Sequence, residues 1–282
     1  MSTLAYSDVT ASGATPRRSL YILHGILGSG RNWRSFARRL VQAHPDWSAV
    51  LVDLRHHGDS PHLPAPHTLA ACAGDVAALA VAIHRPPNAM IGHSFGGKVA
   101  LTYAQRHGSS LGALGVLDSL PAEEGPPPDP STNDVAEVLR VLSTLSMPAP
   151  ARSDVRDGLR AEGLSEPLVQ WLLTSLKRSG DTWGWAWRLE AIHALLDDYW
   201  RRDLWPFVAG QDRGQFHGTL TFVRAGRSDR WTSASLERFS ALPEGSARLV
   251  TLPEAGHWLH VDDPDGTLAA VGDVLNRSTD GA

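Results

Sequence analysis

The chain has 282 residues, 26 Lys and Arg against 30 Asp and Glu, and a formal net charge of −4. That length allows one large domain, or a domain with an insertion, around a sizeable core. The charge balance leaves no electrostatic footprint for nucleic acid or an anionic membrane surface. One cysteine, Cys72, rules out an intramolecular disulfide framework and any multi-cysteine metal site. No apolar run approaches the 18 residues of a membrane span, and no targeting segment stands at the N-terminus, so a soluble intracellular protein is expected.

Taken in order, Leu4 to Val9 predicts an edge strand, followed by a turn at Gly13 and Pro16. Ser19 to Leu23 is an apolar strand running into the loop His24-Gly25-Ile26-Leu27-Gly28-Ser29-Gly30. Asn32-Trp33 opens a helix to about Ala43, with Trp33, Phe36, Ala37, Leu40 and Val41 at helical spacing. Ser48 to Val52 is a buried strand ending at the polar loop Asp53-Leu-Arg55-His56-His57-Gly58-Asp59-Ser60-Pro61. Thr68 to Ile83 reads as a helix, and Asn88 to Ile91 as another buried strand. Next come Gly92-His93-Ser94-Phe95-Gly96-Gly97 and a helix through Lys98 to His107, stopped by Gly108. Leu111 to Leu117 is a further strand, ending at Asp118-Ser119. Strands and helices thus alternate over 118 residues, which predicts an α/β fold with a doubly wound, mostly parallel sheet.

From Pro121 to about Gly210 the pattern turns helical and strandless, introduced by the proline-rich run Pro126 to Pro130, read as a hinge. Four helices are expected near 131–146, 152–162, 165–178 and 185–202, a stretch that also holds Trp171, Trp183, Trp185, Trp187, Trp200 and Trp205. Alternation resumes with a strand at Gly218 to Arg224, a helix near 233–240, a strand at Ala247 to Thr251 and a terminal helix from about Asp265 to Leu275. The expected division is a core of residues 1–120 and 211–282 with a helical cap, 121–210, inserted over the carboxyl ends of the strands.

Gly92-x-Ser94-x-Gly96 between a strand and a helix is the pattern of a nucleophile elbow. The sharp turn needs small residues where its two arms nearly touch, lifts the Ser94 hydroxyl off the sheet, and aims the Phe95 amide at a developing oxyanion. Acyl transfer by serine also needs a base, and His257, in Ala255-Gly256-His257-Trp258 after the last strand, is the first candidate, with His260 second. The backbone N–H of Ile26, or Leu27, in the first glycine-rich loop supplies the second oxyanion donor. That loop lacks the Gly-x-Gly-x-x-Gly and Gly-Lys-Ser/Thr patterns of phosphate-binding loops. Two carboxylates stand at strand ends in the order Ser…Asp…His: Asp118, and Asp229 in Ala225-Gly226-Arg227-Ser228-Asp229. Position alone does not separate them. Substrate-binding candidates are His24, Gly25 and Leu27 of the first loop, His93 and Trp258 beside nucleophile and base, and Trp187 of the cap. Asp53, Arg55 and the His56-His57 pair are read as braces for loops rather than as catalytic groups or metal ligands.

Leu23 to Ser29 with Asn32-Trp33, Asp53 to Ser60, Gly92 to Lys98 and Ala255 to His260 together resemble α/β-hydrolase-fold esterases. More narrowly the chain is similar to the YbfF-type esterases and the α/β-hydrolase-domain-containing protein 11 group, over nearly its whole length. Trp171-Leu-Leu-Thr-Ser-Leu176 and Trp185-Ala-Trp187-Arg188-Leu189 extend the resemblance into the cap. It implies a serine hydrolase for carboxylic esters or thioesters of short-to-medium acyl chains, with no cofactor and no metal. It also favours Asp118 as the acid, because the post-cap loop of that group carries Asn-Ser or Arg-Ser. Here Asp229 follows Ser228 directly, and Ser119-Leu120-Pro121 replaces the group's Ile-x-Pro, which are departures from the pattern. A non-catalytic binding protein on the same fold, or an acyltransferase or lyase using the same triad, are the competing readings. Oligomeric state leaves no trace in the sequence.

Overall fold

A computed structural model describes residues 3–123 and 134–278. The chain opens with β1 (Tyr6–Val9), β2 (Arg18–Leu23) and a 3₁₀ turn (Gly30–Trp33) that runs into α1 (Arg34–Ala43). Then follow β3 (Trp47–Val52), α2 (Leu69–Ala82), β4 (Ala89–His93), α3 (Phe95–His107) and β5 (Ala113–Leu117). The chain leaves the sheet here for α4 (Asp134–Thr144), α5 (Arg152–Ala161), α6 (Glu166–Leu173), a hairpin of β6 (Leu176–Ser179) and β7 (Thr182–Trp185), α7 (Leu189–Arg201) and the single turn α8 (Trp205–Val208). It returns with β8 (Thr219–Ala225), α9 (Ser233–Ser240), β9 (Arg248–Leu252), the short α10 (Leu259–Asp262) and α11 (Pro264–Arg277).

The sheet runs β1-β3-β2-β4-β5-β8-β9, and every neighbouring pair is parallel except β1 with β3. Both faces are covered, so β2 through β5 read as near-continuous apolar runs: β3, β4 and β5 have every residue buried. On one face α1 and α11 pack Phe36, Leu40, Val271 and Leu275 against Leu20, Ile22, Leu51 and Ile91. On the other face α2 and α3 share one core with the inserted segment, which adds Leu139, Leu172, Ile192, Leu196 and Trp200. Helix α3, which begins just after Ser94, lies between sheet and insertion, and all of Phe95 to Ala104 is buried.

The expected doubly wound sheet matches the one observed. The inserted segment departs from the strandless expectation. The third helix stops at Leu173 rather than 178, the fourth starts at Leu189 rather than 185, and an antiparallel hairpin pairs Leu176 with Trp185 between them. Thr174 and Ser175 favour a helix end, Gly180 turns the chain at φ 59°, and Thr182, Trp183 and Trp185 are strand formers. The proline run falls outside the described residues, as does the start of the first expected helix in this segment.

Candidate active site

β4 ends at His93, and Ser94 adopts φ 52°, ψ −119° before α3 begins at Phe95. This is a left-handed backbone that side chains rarely tolerate, and crowding forces it. A Cβ on Gly92 would lie 2.1 Å from the Gly96 carbonyl oxygen, and one on Gly96 would lie 2.5 Å from that of His24. Ser94 N–H donates to the Leu117 carbonyl at 3.0 Å, which pins the elbow to β5. The result is an exposed-tip serine at the N-terminus of a thirteen-residue helix, where the aligned peptide dipoles favour negative charge.

Asp118 follows β5 with φ 41° and a fully buried side chain. Its Oδ1 accepts from the Ala225 N–H at 3.1 Å, and its Oδ2 lies 2.8 Å from His257 Nδ1. A carboxylate only accepts, so the Nδ1 of His257 carries the proton and Nε2 is left with its lone pair. Asp229 is the other sequence candidate, and among the described residues no hydrogen bond or ion pair joins it to the imidazole. It is 90% exposed, and its nearest charged group is Arg230 Nε at 3.9 Å. His260 is likewise apart from any carboxylate: it stacks on Trp33 with centroids 4.1 Å apart, and burial, with His257 close by, pushes its pKa down to about 4.

The first loop is organised by two buried histidines. His24 donates from Nδ1 to the Gly25 carbonyl at 2.7 Å and accepts at Nε2 from the Leu54 N–H at 3.0 Å. His57 donates from Nδ1 to the Arg55 carbonyl and accepts at Nε2 from the Leu27 N–H at 3.1 Å. Both rings are acceptor and donor at once, hence neutral, and burial pushes their pKa values down to about 4 and about 3. The Leu27 amide is therefore spent within the fold. The Ile26 and Phe95 amides have no hydrogen-bond acceptor among the described residues. Asp53 braces the same region, accepting from Gly30 N–H at 2.7 Å and Asp59 N–H at 2.8 Å. Arg55 holds Asp75 through two nitrogens, at 2.6 and 3.0 Å, as a loop brace would.

A cavity of about 910 Å³ opens over these groups. Its walls include His24, Gly25, Ile26, Leu27, His93, Ser94, His257 and Trp258 from the core, and Val138, Leu164, Leu168 and Trp171 from the inserted segment. Gly25 is tightly placed, because a Cβ there would lie 3.2 Å from the His93 ring and press on it. His93 is buried, its pKa held well below the ordinary value first by that burial and then by His257, His260 and Arg230 nearby. Its Nε2–H donates to the His257 carbonyl at 2.7 Å, so it ties the elbow to the loop that carries His257. Trp187 does not line the cavity. It is 3% exposed and stacked on Trp185 at 4.4 Å, packing within the inserted segment. The aromatic wall is Trp171 against Trp258, centroids 5.4 Å apart.

Sequence reasoning missed three further contacts. Lys98 is buried, and its Nζ donates to the carbonyls of Ala122 and Tyr199 at 2.7 Å each, tying α3 to both ends of the inserted segment. The Ser175 hydroxyl donates to the Leu27 carbonyl at 3.1 Å, and Arg230 joins the cavity wall. A lysine directly after Gly-Gly in an otherwise apolar helix was the only signal available for the first, and the other two left none.

Residues 18–264 match the model of the α/β hydrolase fold family. The chain belongs to that family. This hydrolase is 27% identical to the mouse sn-1-specific diacylglycerol lipase ABHD11, over 96% of its own length and 85% of the relative's. It is 28% identical to the esterase YbfF of Escherichia coli, over 95% and 96% of the two chains. Among solved structures, a marine microorganism esterase superposes with a TM-score of 0.80 at 24% identity, over 98% of this chain and 100% of that one, a likeness of fold. Carboxylic ester hydrolysis is the activity that family membership and these relatives support for the hydrolase.

Proposed function

We propose that this hydrolase cleaves carboxylic esters or thioesters of short-to-medium acyl chains through an acyl-enzyme on Ser94, with residues 121–210 acting as a lid over a core of 1–120 and 211–282. The observation that carries the reading is the 2.8 Å contact between Asp118 Oδ2 and His257 Nδ1 beside a cavity that Ser94 also lines. Ser94 Oγ attacks the acyl carbonyl carbon while His257 Nε2 takes its proton, and the Ile26 and Phe95 amides receive the oxyanion. Asp118 holds the tautomer and stabilises the imidazolium. The imidazolium then protonates the departing alkoxide or thiolate as the carbon–oxygen or carbon–sulfur bond breaks. Water, deprotonated by His257, attacks the acyl-serine and releases the acid.

A cavity of this volume fits the usual range for small-molecule sites. Each methylene that enters adds about 0.8 kcal/mol of burial until the pocket ends. The test is a p-nitrophenyl ester series of rising acyl length. Catalytic efficiency is expected to rise through the short chains, peak and fall; a rate still climbing at sixteen carbons contradicts a closed acyl pocket.

A further inference from the structure

The cavity holds a cation that neither the fold nor the triad uses. Arg230, in the loop after β8, lines the same wall as Ser94 and His257. Its side chain is only 22% exposed, and its Nε is out of water with no hydrogen-bond partner among the described residues. Its ion-pair neighbour, Asp229, is 3.9 Å away and 90% exposed, a geometry that contributes little. Arg227, two residues from Asp229 on the other side, is paired with Glu254. A guanidinium nitrogen buried without an acceptor is costly, and an anion placed against it removes that cost. His260 Nδ1 is a second buried polar atom without a partner in a residue of this wall.

The carboxylates around the cavity do not fill this role. Glu137 is engaged by Arg140, while Asp134, Asp229 and Asp262 are exposed at the rim, where water and salt screen them. Arg230 is less exposed than these, and it lines the cavity together with His93 and His257, whose rings are 4.8 Å apart. A substrate anion against Arg230 supplies the acceptor that its Nε lacks.

We propose that Arg230 binds an anionic group of the substrate, so that this hydrolase favours esters or thioesters carrying a carboxylate or phosphate over neutral ones. The inference rests on the esterase reading above and narrows it to a substrate class. The anion can sit on the acyl chain or on the leaving group, and two matched pairs separate these. For the acyl side, ethyl hydrogen adipate is compared with ethyl hexanoate; for the leaving group, butyryl-coenzyme A with S-butyryl-N-acetylcysteamine. In at least one pair the wild-type enzyme is expected to favour the anionic member at least tenfold in kcat/KM. Arg230→Gln should lower that ratio tenfold or more, and Arg230→Lys, which keeps the charge but not the fork, should retain part of it. A wild-type ratio near one in both pairs, or a ratio unchanged in Arg230→Gln, overturns the proposal. The wild-type ratios decide it even where a variant fails to fold. Turnover of the neutral compounds with no anionic preference defeats this inference alone, whereas no turnover of any of the four defeats the esterase reading with it.

Discussion

His93 donates from Nε2 to the main-chain carbonyl of His257 across 2.7 Å, so the residue before Ser94 holds the loop that carries His257. Ser94 and His257 sit on segments 163 positions apart, and this bond ties the two segments directly. We predict that His93→Ala lowers kcat about 10–100-fold with a smaller effect on KM, the range expected when a base is displaced by around an ångström. His93→Gln keeps a donor near the same place and should recover part of the loss. Equal activity of both variants with wild type would remove His93 from the positioning role.

The identity of the acid has its own test. In the serine-protease example, Asp→Asn at this role costs about 10⁴ in kcat with geometry kept. Asp118→Asn is expected to lose several orders of magnitude in kcat. Asp229→Asn, 90% exposed and apart from the imidazole, should stay within about tenfold of wild type. A severe loss at 229 with near-normal rates at 118 would transfer the role to the post-cap loop.

Lys98 predicts a stability effect distinct from catalysis. Its ammonium bonds the carbonyls of Ala122 and Tyr199 and lies 4.1 Å from the Tyr199 ring, and the lysine itself is fully buried. Lys98→Met preserves bulk but removes both bonds; Tyr199 keeps the Arg202 N–H at 3.4 Å, whereas the half-buried Ala122 carbonyl loses this donor, at about 1–3 kcal/mol for an unsatisfied group. The urea midpoint should fall accordingly. A variant as stable as wild type would show that water or a shifted backbone replaces the lysine.

The buried histidines set an acid limit on the fold. His24, His57 and His260 have folded pKa values of about 4, 3 and 4, below the ordinary 6.5, chiefly because burial disfavours the charged form. Below 6.5 the unfolded chain therefore binds protons that the folded chain refuses, so stability is full above that value. It is lost as pH falls toward 4, by up to about 1.4 kcal/mol per pH unit for each ring. Melting temperatures recorded from pH 7 to pH 4.5 should fall across this window. The slope should be shallower in His57→Gln, once its own destabilisation at pH 7 is subtracted; an unchanged slope would mean that the ring is protonated in the fold.

Much of this was legible in the sequence, for physical reasons that vary by element. Parallel strands buried on both faces write themselves as apolar runs, so β2 to β5 and the elbow between β4 and α3 were readable from periodicity and glycine placement. The hairpin at 176–185 was not, because its tryptophans at alternate positions also fit a helical reading when Gly180 alone marks the turn. Side-chain direction was the other blind spot. Trp187 and Trp171 are both aromatic residues of the inserted segment, yet one packs on Trp185 and the other faces the cavity. Choosing between Ile26 and Leu27 as donor likewise needed the fold, since His57, thirty residues on, consumes the Leu27 amide.

The central claim is that Ser94 is an activated nucleophile, and covalent capture tests it most directly. Incubation with a fluorophosphonate, followed by digestion and mass spectrometry, is predicted to place a single adduct on the peptide containing Ser94. Labelling should disappear in Ser94→Ala and slow by orders of magnitude in His257→Ala, with both variants folded. An intact wild-type protein in which Ser94 stays unmodified, or in which the adduct lies on another residue, would contradict the account.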